Sequence, residues 1–83
     1  MGMEAEAIQK RGSCPSGYNS QGDYCVPNSG AMPAVFKYGS CPSGWNSHGE
    51  YCVANKSNPK HVMRKSGSCP SGYNTQGEYC VQN

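Results

Sequence analysis

The chain has 83 residues, a formal net charge of +2, 35% hydrophobic residues and six cysteines. These figures exclude a large apolar core, a membrane-spanning apolar run and a nucleic-acid surface driven by bulk charge. Six of the hydrophobic residues are Cys and six are Tyr, so aliphatic surface is scarce and covalent cross-links are the expected substitute.

In chain order, residues 1–6 hold two Glu and nothing that needs burial, which predicts a disordered N-terminal tail. From residue 7 onward the chain is one domain written as three similar units, 7–30, 31–57 and 58–83. Each unit contains a stretch repeated almost unchanged: Gly12 to Val26, Gly39 to Val53 and Gly67 to Val81. Within it Tyr18 becomes Trp45 and then Tyr73, Gln21 becomes His48 and then Gln76, and Asp23 becomes Glu50 and then Glu78.

Ahead of each stretch, Ala7-Ile8-Gln9-Lys10 matches Ala34-Val35-Phe36-Lys37 and Val62-Met63-Arg64-Lys65. These short runs with branched or aromatic side chains, ended by Gly-Ser, predict lead-in strands. Helices fit poorly, because 11 Gly and 6 Pro interrupt every candidate.

Cys-Pro-Ser-Gly then predicts a turn, with Gly where a positive φ is needed. Asn19-Ser-Gln-Gly22 predicts a second turn, and Asp23-Tyr24-Cys25-Val26 a return strand with Tyr24 and Val26 on one face and Cys25 on the other. Tyr24, Tyr51 and Tyr79 are expected in the core, packed against Val26, Val53 and Val81 or against the preceding strand.

Six cysteines allow fifteen pairings. If equivalent units fold alike, bonds lie within units or join neighbours, and the neighbour scheme strands Cys14 and Cys80. The favoured pairs are therefore Cys14–Cys25, Cys41–Cys52 and Cys69–Cys80. Each short loop contributes roughly 3 kcal/mol on the loop-closure model. The fold class is thus small, all-β and disulfide-rich: three tandem disulfide-closed β-hairpins, arranged about a pseudo-three-fold axis or as a short linear stack.

Disulfides persist in oxidising compartments, so the chain reads as secreted or periplasmic. Met1 to Arg11 lacks the apolar centre of a signal peptide, which suits a mature form with Met-Gly-Met as an added start. Asn55-Lys56-Ser57 is a formal glycosylation sequon. It matters only in a eukaryotic secretory route.

Candidate ligand contacts are Tyr18, Trp45 and Tyr73 with their neighbours Asn19, Asn46 and Asn74, because flat rings beside polar groups stack on sugars. The competing reading folds each ring over its own disulfide or a neighbour as a miniature core. Asp23, Glu50 and Glu78 would hold calcium if they converged, and otherwise cap turns or pair with Lys10, Lys37 and Lys65. His48 and His61 have no recognisable nucleophile or acid partner, and no catalytic motif is present, so no enzyme and no cofactor is expected.

The run Ser-Cys-Pro-Ser-Gly-(Tyr/Trp) followed by Gly-(Asp/Glu)-Tyr-Cys-Val resembles that of short exported bacterial proteins of unassigned function, over residues 7–83. That resemblance implies a periplasmic or extracellular place and no particular activity. Gly22-Asp-Tyr-Cys25 is also similar to a fragment of hevein-type chitin binders, and Cys-Pro-Ser-Gly to the last hairpin of peritrophin-type domains. This chain lacks hevein's adjacent cysteines and the rest of the peritrophin pattern.

Three functions follow as expectations. One is a non-enzymatic surface or matrix interaction module, its partner a glycan held by the loop aromatics. Another is a self-assembling extracellular subunit, its partner another copy. The third is a thiol protein binding copper or zinc. Neither nucleic acid nor membrane insertion is expected.

Overall fold

The computed structural model describes residues 2–83. Its nine strands are β1 (Ile8–Gln9), β2 (Tyr18–Gln21), β3 (Tyr24–Pro27), β4 (Ala34–Phe36), β5 (Trp45–His48), β6 (Tyr51–Ala54), β7 (Val62–Arg64), β8 (Tyr73–Gln76) and β9 (Tyr79–Gln82). They form three antiparallel sheets of three strands, ordered β1-β3-β2, β4-β6-β5 and β7-β9-β8. The return strand is central in each. No helix occurs among the described residues, so none is long and apolar enough to cross a membrane.

The repeated residues account for the repeated backbone. In the Pro-Ser-Gly turn, the N–H of Tyr18, Trp45 or Tyr73 donates to the carbonyl of Pro15, Pro42 or Pro70 at 3.1 Å in every case. The third turn residue is Gly17, Gly44 or Gly72 with φ of 88°, 86° and 88°, which a type II turn requires and a side chain would strain.

The second turn is not where the sequence pointed. Asn19-Ser-Gln lies inside β2, and the reversal is the two-residue loop Gly22-Asp23, with Gly22 at φ 59°. Glycine at the first central position permits a tight hairpin turn whose twist matches the strands. It lets Tyr18, Asn19, Ser20 and Gln21 pair with Pro27, Val26, Cys25 and Tyr24 in full register. The other two units repeat this register.

The disulfides are Cys14–Cys25, Cys41–Cys52 and Cys69–Cys80, with Cα separations of 5.5, 5.6 and 5.6 Å, inside the normal range. Each ties the loop before a hairpin to the central strand. No cysteine is free among the described residues, which include all six, so no thiolate remains there for copper or zinc.

The units form a linear stack rather than a three-fold ring. One cluster joins Tyr18, Cys25 and Ile8 of the first unit to Tyr51, Phe36 and Ala34 of the second. The other joins Trp45, Cys52, Val35 and Tyr38 of the second to Tyr79, Val62 and Val81 of the third. The second unit serves both, and the particle measures 35 × 24 × 17 Å.

The segment 2–6, expected as a loose tail, makes contacts along this stack. Met3 N–H donates to Pro59 C=O at 2.8 Å, Met3 packs on the second cluster and Ala5 on the first. Met1 lies outside the described residues.

Candidate functional site

Two of the three rings of the expected sugar platform are withdrawn from solvent. Moving the turn to Gly22-Asp23 places Tyr18, Trp45 and Tyr73 at the first position of β2, β5 and β8, away from the hairpin tips. Tyr18 is 7% exposed and Trp45 8%, each covered by the unit that follows. The Tyr18 hydroxyl donates to Met32 C=O at 2.8 Å. Burial pushes its pKa above the usual tyrosine value, partly offset by hydrogen bonding to the backbone. The miniature-core reading therefore describes these two rings.

Tyr73, with no described unit over it, is half-buried; its hydroxyl lies 3.3 Å from His61 Nδ1, with the two rings edge to face. Asn19, Asn46 and Asn74 are exposed on the outer strands. Trp45 and Asn74 alone among these six share a groove, about 290 Å³, with Lys56, Lys60 and Gln76 on its walls.

The recurring acids stay apart: no group of three His, Cys, Asp or Glu among the described residues is placed to hold a metal ion. The lysine and acid positions meet through the backbone instead. Lys10, Lys37 and Lys65 N–H donate to the carbonyls of Asp23, Glu50 and Glu78 at 2.8, 2.9 and 2.8 Å.

The most built feature is one the sequence reading assigned only to core packing. Tyr51, 1% exposed, reaches into the first unit, where its hydroxyl donates to Gln9 C=O at 3.0 Å and accepts from Arg11 N–H at 2.6 Å. Tyr79, also 1% exposed, does the same one unit later: it donates to Phe36 C=O and accepts from Tyr38 N–H, both at 2.8 Å. Cys25 Sγ lies 3.8 Å from the Tyr51 hydroxyl and Cys52 Sγ 3.6 Å from that of Tyr79. Burial raises the Tyr79 pKa, with the Tyr38 amide pulling it partly back.

Each junction also carries a guanidinium on a ring. Arg11 stands 3.7 Å from the Phe36 centroid, and Arg64 stands 4.0 Å from that of Tyr38. Behind them Phe36 stacks on Tyr51 at 5.8 Å and Tyr38 tilts against Tyr79 at 6.1 Å.

Tyr24 is the same residue in the first unit, and none of the described units lies over it. It is 54% exposed, the one large hydrophobic side chain left open among the described residues. The expectation that all three return-strand tyrosines are core thus fails at the first, because the burial of each comes from its neighbour. The available signal was positional: an end unit in any array lacks one partner.

Comparison of the chain with protein-family models, curated proteins and solved structures finds no match.

Proposed function

We propose that this is a non-enzymatic structural module of an oxidising compartment that associates with copies of itself through the ends of its stack. Three intramolecular disulfides support the compartment, and the resemblance to exported bacterial proteins agrees with it. The observation carrying self-association is the contrast between Tyr24 at 54% exposure and Tyr51 and Tyr79 at 1% each. A residue type that the fold buries twice against the preceding unit stands unburied in the first unit. Such an apolar, hydrogen-bonding surface is a natural contact for a further unit.

Light scattering on the oxidised chain across a wide concentration range tests this. The average mass rises with concentration; a constant monomer mass removes the reading.

A second reading rests on the groove over Trp45. Trp45, though only 8% exposed, lines it with Asn74, Gln76, Lys56 and Lys60, whose amides and cations suit a small polar ligand such as an anionic sugar. Trp45 is the single tryptophan, so its fluorescence reports occupancy directly. A panel of neutral and acidic oligosaccharides that leaves the emission unchanged excludes this site.

A further inference from the structure

The two internal junctions define what a third must contain. The donor side is one return-strand tyrosine. The receiving side is a carbonyl from the end of the lead-in strand and an N–H two residues later: Gln9 with Arg11, then Phe36 with Tyr38. By position before the disulfide-forming cysteine, the next pair is Arg64 and Ser66.

Arg64 occupies the same register as its predecessors. Gln9 pairs with Tyr24, Phe36 with Tyr51 and Arg64 with Tyr79, each opposite the return-strand tyrosine. Its guanidinium lies over Tyr38 on the side of the second unit, as the Phe36 ring lies against Tyr51 and Arg11 while its carbonyl serves Tyr79. Arg64 and Ser66 are both exposed.

We propose that Tyr24 of one molecule docks on the third unit of a second copy, its hydroxyl donating to Arg64 C=O and accepting from Ser66 N–H. This deepens the self-association reading and rests on it: the partner is another copy, and the contact continues the internal stacking. Donor and receptor lie at opposite ends, so the contact is heterologous and head to tail. It extends without closing at a dimer.

One element of the internal junctions is missing. The guanidinium and ring come from the position that gives the N–H and from the carbonyl position of the following unit: Arg11 with Phe36, Tyr38 with Arg64. Between molecules those positions are Ser66 and Gln9, which form no cation–π pair. The intermolecular joint is therefore the weakest in the series.

Sedimentation of the oxidised chain and its variants tests the contact. The wild type shows a mass that grows past dimer with concentration. Tyr24→Phe, at an exposed position, and Ser66→Pro, which removes the N–H, each weaken association about tenfold or more. Mixing Tyr24→Ala with Ser66→Pro pairs one intact receptor with one intact donor and yields a particle that stops at two chains. Ser66→Tyr combined with Gln9→Arg restores the Tyr38–Arg64 arrangement and tightens association severalfold.

A wild type that stays monomeric overturns both this contact and the self-association reading. A wild type that associates with a constant unchanged by Tyr24→Phe leaves self-association standing and overturns the contact. So does a mass that stops at a symmetric dimer.

Discussion

The two internal junctions of this molecule do the same job with partly exchanged parts. At the first, Arg11 of the receiving unit lies on Phe36 of the donor unit; at the second, Arg64 of the donor lies on Tyr38 of the receiver. The hydroxyl latch does not change, because it is received by a backbone carbonyl and an N–H that every residue except proline supplies. The cation–π contact needs one ring and one guanidinium facing each other, and it is indifferent to which unit contributes which. Joints in a repeat array can therefore hold their geometry while receiving side chains drift, provided the tyrosine is kept.

The largest effect expected is loss of the whole stack on reduction. With so little aliphatic core, three cross-links at about 3 kcal/mol each are comparable to the stability of a small domain. Dispersed amide NMR signals collapse in strong thiol, at both junctions together. Retention of one junction under full reduction would show that the two are held by different forces.

Next come the strand-leading aromatics. Trp45→Ala, beneath the third unit, costs about 3 to 5 kcal/mol, whereas Tyr73→Ala, with no described unit over it, costs about 1 kcal/mol or less. Urea midpoints with unchanged slopes measure the difference. Equal losses would mean that burial by the following unit contributes little.

Alkaline pH acts on a buried tyrosine at each junction. Tyr18 and Tyr79 have pKa values raised by burial above the ordinary tyrosine value, so the folded chain holds these protons more tightly than the unfolded one. Their contribution is intact below about pH 10 and is lost as pH rises through the folded-state values. Thermal melts between neutral and strongly alkaline pH show this fall, and Tyr79→Phe makes it shallower.

The smallest effects come from the guanidiniums. Arg11→Gln and Arg64→Gln each lower stability by about 0.5 to 1 kcal/mol, and by similar amounts if the contact works from either side. A large inequality would make one side essential.

Much of this architecture was legible in the residues. Repetition selected the disulfide pairs, and Pro-Ser-Gly marked a turn whose glycine adopts the required positive φ. The misplaced turn has a local cause. Asn19 and Gly22 suit the outer positions of one turn, while Gly22 equally suits the first central position of a tighter one. Only full pairing of β2 with β3 decides between them.

In the fold the three aromatics of the expected sugar platform begin the outer strands, and Tyr18 and Trp45 are covered by the next unit. Tyr24 was illegible for a different reason. Its neighbours match those of Tyr51 and Tyr79 closely, and what separates them is the presence of a preceding unit, which no local pattern encodes.

The central claim is that each return-strand tyrosine fastens its unit to the one before it. Removing a single oxygen at three equivalent positions tests this, by chemical denaturation of Tyr24→Phe, Tyr51→Phe and Tyr79→Phe in dilute solution. Tyr51→Phe and Tyr79→Phe each lose about 2 to 3 kcal/mol, since each leaves a carbonyl and an N–H without their partner. Tyr24→Phe stays within about 0.5 kcal/mol of the wild type. Equal losses at all three, or none at Tyr51 and Tyr79, would contradict the account.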